Sequence, residues 1–77
     1  MRELVVNGVY KHFKNKYYIV IGTAYNSDDE CEYVIYRALY GEHKTWIRRK
    51  DEFLSEVDNK KYPEVKQKYR FDLVNFE

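Results

Sequence analysis

At 77 residues the chain has room for one domain, and a domain of this size buries only about 60–65% of the surface its unfolded chain exposes, so the core must be thin. Fourteen Lys and Arg against thirteen Asp and Glu leave a net charge of +1, which excludes a molecule-wide attraction to nucleic acid or anionic membrane and confines any such binding to a local patch. Cys31 is the only cysteine, no apolar run is long enough to span a bilayer, and Met1-Arg2-Glu3-Leu4-Val5-Val6-Asn7 has no leader-like apolar region; a reducing, cytoplasmic setting without membrane contact is expected.

In chain order, Val9-Tyr10-Lys11-His12-Phe13 reads as a strand that turns through Lys14-Asn15-Lys16, with Asn15 the residue best suited to a left-handed conformation. It leads into Tyr17-Tyr18-Ile19-Val20-Ile21-Gly22-Thr23-Ala24, dense in β-branched and aromatic residues, where Gly22 predicts a bend or bulge. Asn26-Ser27-Asp28-Asp29-Glu30 is a polar turn, which places Cys31 at a loop edge. The next strand, Glu32 to Tyr40, alternates Val34, Tyr36, Ala38 and Tyr40 on one face with Tyr33, Ile35, Arg37 and Leu39 on the other, and the Arg37 face is expected outside. Gly41 supplies the positive φ of a tight hairpin into Lys44-Thr45-Trp46-Ile47-Arg48.

Beyond Trp46 the pattern changes. Asp51-Glu52-Phe53-Leu54-Ser55-Glu56-Val57 has acidic residues first and apolar residues behind them, which suits one or two helical turns plugging an open barrel end. Asp58 to Pro63 is a loop, and Lys68 to Val74 is a final strand with Tyr69, Phe71 and Leu73 on one face. The fold class is therefore all-β: a small, partly open SH3-like antiparallel barrel of about five strands with one short helical turn, forming a single domain over residues 1–77. A five-stranded oligonucleotide-binding fold is the nearest competitor, although its usual helix falls between the third and fourth strands.

Several ordered blocks carry a resemblance: His12-Phe13-Lys14; then Tyr18, Val20, Gly22 and Ala24; then Val34, Tyr36 and Ala38-Leu39-Tyr40-Gly41; then Trp46-Ile47-Arg48; then Phe53, Glu56 and Val57. Together they resemble the bacterial domain-of-unknown-function family 1653, over Gly8 to Val57. The resemblance implies an SH3-like barrel and brings no catalytic residue, cofactor or ligand with it. Two positions depart from the family pattern: Arg49 stands where a proline is expected, and Asn15 where a glycine is expected.

Nine tyrosines, four phenylalanines and one tryptophan can fill a thin core or form a stacking surface. The candidate ligand-binding residues are Tyr36, Tyr40, Trp46 and Arg48, with His12 added from the His12-Phe13-Lys14 block. Rings beside a guanidinium can hold a nucleotide, a nucleic acid or a peptide. The competing reading puts the rings in the core, with Arg48 paired to Glu56 or Asp51 and His12 bonded to a turn carbonyl. The basic run Arg48-Arg49-Lys50, with Lys44 nearby, is diluted by Asp51 and Glu52 and reads as a solvated surface.

His12, His43 and Cys31 lack the short-spaced pair of a zinc site, so no metal or cofactor is expected. Cys31 sits among Asp28, Asp29 and Glu30, a poor setting for a nucleophile. No glycine-rich phosphate loop or serine elbow is visible, and an enzyme would need a cleft joining His12, Arg37 or a carboxylate. A binding module is the leading expectation, with a protein or nucleic-acid partner; the alternative is an interaction domain that acts through a strand edge or a weak homodimer.

Overall fold

The computed structural model describes residues 2–75; Met1, Phe76 and Glu77, which the expected domain of residues 1–77 includes, lie outside the described residues. Five strands form one antiparallel sheet: β1 (Val9–His12), β2 (Lys16–Tyr25), β3 (Glu32–Ala38), β4 (Thr45–Arg49) and β5 (Phe71–Leu73), in the spatial order β4-β3-β2-β1-β5. A single short helix, α1 (Lys50–Phe53), follows β4 directly.

The turns follow local chemistry. Asn15 (φ 66°) and Gly41 (φ 58°) take the left-handed conformations expected of them, while Glu30 (φ 58°) and His43 (φ 55°) do so without a sequence cue. In the β2–β3 loop the Asn26 and Asp29 side chains accept hydrogen bonds from the backbone N–H groups of Asp28 and Cys31, both at 2.8 Å. This local bonding ties Cys31 to the loop edge.

The expected bulge is present, since Val20 pairs with Tyr36 while Gly22 pairs with Ile35, leaving Ile21 as the extra residue. A bulge increases the bend and twist of its strand. The curl of the sheet is visible in contacts between strands that are far apart in its order. Phe71 of β5 lies 5.5 Å from the Tyr36 ring of β3, and the Arg48 guanidinium of β4 lies 5.9 Å from the Phe71 ring. A flat sheet would hold these strands well apart. The curled open sheet is consistent with the partly open barrel expected.

The core occupies the concave side, where Tyr10, Val20, Val34, Tyr36, Phe53 and Phe71 form the buried cluster. Phe53 stacks on Phe71 at 4.1 Å and meets Tyr10 and Tyr36 edge-on, so α1 closes one end of the barrel with one side chain. Tyr10 is buried whole because its hydroxyl accepts a hydrogen bond from the Val5 N–H at 3.0 Å.

The second and fourth strands and the helix start shift by a single residue from the sequence reading, and the larger differences have local reasons. The third strand ends at Ala38, because the Tyr40-to-His43 turn takes over, with the His43 N–H donating to the Tyr40 carbonyl at 3.0 Å. The helix stops at Phe53: the Ser55 N–H and hydroxyl both bond the Glu52 carbonyl, and Val57 is buried in an extended segment. The last strand is short because residues 69–70 are shared: Glu56 bridges Tyr69 and the Arg70 N–H bonds the Ser55 carbonyl, while the Arg70 carbonyl still accepts from the Phe13 N–H at 3.0 Å. Within β5, Phe71 is buried, whereas Leu73 is left half-exposed at the rim. The first strand likewise ends at His12, where the turn begins.

Candidate functional site

Cross-strand pairing decides which side chains share the concave face. Tyr10 pairs with Tyr18 and Tyr18 with Ala38; Val20 pairs with Tyr36 and Tyr36 with Trp46; Val34 pairs with Arg48; and His12 pairs with both Lys16 and Phe71. Directly opposed residues on antiparallel strands point to the same side. His12, Tyr36, Trp46 and Arg48 therefore share one face, and Tyr40 joins them through its hydroxyl, 2.7 Å from that of Tyr18.

Depth separates these residues into a floor and walls. Tyr36 is floor, only 4% exposed, whereas Tyr40 is 37% exposed and Trp46 47% exposed. Core and surface readings of the rings thus each hold for part of the set. Ala38, Tyr40, Glu42, Lys44 and Trp46 line a slot of about 280 Å³, with two aromatic walls and one charge of each sign. Lys16 stands over the Tyr40 ring, its Nζ 4.7 Å from the ring centroid.

Arg48 crosses from wall to floor. Its Nε donates to the Tyr36 hydroxyl at 3.4 Å, and its closest carboxylate is Glu52 at 3.9 Å, not the Glu56 or Asp51 expected from sequence. The Glu52 contact is an exposed pair at the limit of ion-pair distance and contributes little. The guanidinium keeps donors available for another acceptor.

His12 does not bond a turn carbonyl. Its Nδ1 accepts from the Lys14 N–H at 3.1 Å, and its ring stacks on Phe13 at 4.4 Å and meets Phe71 edge-on at 4.8 Å. Burial, and then the charges of Arg48, Lys14 and Arg70, push its pKa down to about 4. The imidazole is neutral at pH 7. A histidine held neutral when folded and charged when unfolded binds more protons in the unfolded state, so stability is full above about pH 6.5 and falls as pH drops toward about 4. The whole shift corresponds to about 3 kcal/mol, which screening of the half-exposed ring reduces to about 1–2 kcal/mol. Urea unfolding at pH 7 and pH 4.5 should register this loss, and His12→Gln should remove it; an undiminished loss in the variant would assign it to other groups.

Sequence reasoning missed Tyr18. It contacts His12, Tyr36, Tyr40 and Phe71 edge-on and is the hub of the face. Burial, then the Tyr40 hydrogen bond, raises its pKa, so the phenol stays protonated. Its signal was the register, because Tyr18 stands opposite Ala38 on the strand carrying Tyr36.

A larger cleft of about 820 Å³ opens elsewhere, between Arg2, Cys31, Arg49, Lys50, Leu54 and Tyr69. Its cations are engaged within the chain: Arg2 bonds the Leu54 and Phe71 carbonyls and stacks on Tyr69 at 3.9 Å, Arg49 pairs with Asp51, and Lys50 pairs with Glu32. These contacts close the barrel end, and the cleft is weaker as a site despite its size. Arg37 points to the convex side, bonded to Thr45 Oγ1 at 3.3 Å, so no cleft joins it to His12. Among the described residues no cluster of three metal-ligating side chains occurs, and no helix is long and apolar enough to cross a membrane.

Fold and face together define a small all-β domain with rings and cations on one concave side. The chain belongs to the family described as a protein of unknown function, DUF1653, whose model matches residues 8–73 and so runs through all five strands. No curated protein and no solved structure matches the chain.

Proposed function

We propose that the chain is a small binding module whose ligand lies on the concave face, contacting Tyr40, Trp46, Arg48 and His12, with Tyr36 as the floor beneath them. The observation that carries this reading is the half-exposed Trp46 ring, which forms a slot with Tyr40, two residues along the strand from a guanidinium whose one ion pair, to Glu52 at 3.9 Å, is long and exposed. An indole left half in water loses burial that a core position would supply, and a ligand ring can restore it. Arg48 supplies the anion contact, while neutral His12, whose Nδ1 accepts from the Lys14 N–H, offers its Nε2–H as a donor.

Trp46 is the only tryptophan, so its emission reports on this face alone. Titration with nucleotides, oligonucleotides and peptides should shift or quench that emission for one ligand class; no change with any of them would sink the reading. Light scattering on the same ligand-free sample addresses the strand-edge alternative, which is favoured by Ile47, 64% exposed on β4 at the edge of the sheet. A strictly monomeric particle at high concentration would remove its homodimer form.

A further inference from the structure

We propose, resting on the binding reading above, that the concave face takes single-stranded nucleic acid, with bases stacked on Trp46 and Tyr40 and phosphates held by Lys16, Lys44 and Arg48. The first observation is a local excess of cations that the near-neutral whole chain conceals. At the end of the face marked by Tyr18, Tyr40 and Trp46, three cations, Lys16, Lys44 and Arg48, stand against Glu42 on the slot and Glu52, 3.9 Å from Arg48. The inward carboxylate of β3, Glu32, lies at the other end and is held by Lys50 at 3.3 Å. The charges acting on His12 are all positive, from Arg48, Lys14 and Arg70.

The second observation is how rings and cations interleave. Lys16 lies over the Tyr40 ring, Tyr40 and Trp46 wall the slot that Lys44 and Glu42 also line, and Arg48 follows Trp46 two residues along β4, so cations stand beside each ring. Surfaces that bind single strands without sequence preference combine these two elements, because every base has a π-face and every linkage a charge. The named rings and cations lie on β2, the β3–β4 connection and β4, a compact patch that suits a short stretch of strand. A duplex would present its bases edge-on, out of reach of a slot of about 280 Å³. Glu42, on the slot's rim, opposes a polyanion and limits affinity.

The test uses the full chain with labelled oligothymidylate and oligouridylate of one to eight nucleotides, read by anisotropy and Trp46 quenching at 50 and 200 mM KCl. Affinity should rise from one nucleotide to about four and then level. With three phosphate contacts the salt slope should be about −2, an affinity loss of about 20-fold between the two salt concentrations. Lys16→Gln and Lys44→Gln should each reduce that slope by about 0.7, whereas Lys60→Gln, in an exposed loop, should not change it. Glu42→Gln should strengthen binding several-fold. DNA or RNA binding in this pattern supports the proposal; equal affinity for one nucleotide and eight, or a slope that Lys16 and Lys44 do not alter, overturns it. Quenching by an acidic or proline-rich peptide with none by oligonucleotides also overturns it while the binding reading stands, and silence from every ligand removes both.

Discussion

Phe71→Ala is expected to remove about 3–5 kcal/mol of stability, the range for a large aromatic deleted from a packed core. Small domains hold about 0.05–0.15 kcal/mol per residue in total, so this one substitution consumes much of what the chain has. The geometry explains the concentration of effect. Phe71 is 1% exposed, stacks on Phe53 at 4.1 Å, and meets His12, Tyr18 and Tyr36 edge-on. It is the contact through which β5, at one edge of the sheet, reaches β3 and β4, so its loss opens the curl as well as leaving a cavity. Thermal unfolding followed by circular dichroism should show a midpoint lowered by at least about 12 °C, at about 4–8 °C per kcal/mol for a domain this small. Leu73→Ala, two residues on in the same strand and 46% exposed, is the control and should cost about 1 kcal/mol. A smaller loss for Phe71→Ala than for Leu73→Ala would mean that β5 does not close the barrel.

The same ring shows how unevenly the fold was legible. Period-two alternation identified the third strand, because Val34, Tyr36 and Ala38 on one side and Arg37 on the other leave one assignment of inside and outside, while the density of β-branched and aromatic residues identified the second. Asn15, Gly41 and the bulge beside Gly22 were legible because turn and bulge chemistry is local. The C-terminal third was not. Its boundaries are set by Glu56 bridging Tyr69, by the Val57 N–H bonding the Lys68 carbonyl, and by Arg2 reaching across to the Leu54 and Phe71 carbonyls. These contacts join residues far apart in sequence, and no periodicity announces them.

The candidate face was legible in part for the same reason. Trp46 and Arg48 share a face by alternation along β4, and the register that sets Trp46 opposite Tyr36 on the neighbouring strand brings Tyr36 to the same side. Tyr18 and Phe71 enter it only through register and curl. Exposure was a further unknown: Tyr36 and Tyr40 share a parity, yet the strand ends between them, and the turn lifts Tyr40 to the rim while Tyr36 is buried.

Arg48→Gln should separate the roles combined in that side chain, through two readouts. The guanidinium charge is the second cause, after burial, of the lowered His12 pKa of about 4, so its removal should raise that value part of the way toward 6.5. The rise stays partial because burial against Phe13 and Phe71 persists. Proton chemical shifts of the His12 ring across pH 3–8 measure it directly. Binding on the concave face should weaken about 10–100-fold, the equivalent of one charge-assisted hydrogen bond of about 1.5–3 kcal/mol. Arg48→Lys should return His12 close to its original pKa, since a cation is restored. It should recover affinity only in part, because an ammonium lacks the planar fork and cannot reach the Tyr36 hydroxyl in the same geometry. An unchanged His12 pKa in Arg48→Gln would place the guanidinium away from the face and undo its assigned role. A recovered pKa together with fully recovered binding in Arg48→Lys would reduce Arg48 to a point charge, leaving Trp46 and Tyr40 to set what the face selects.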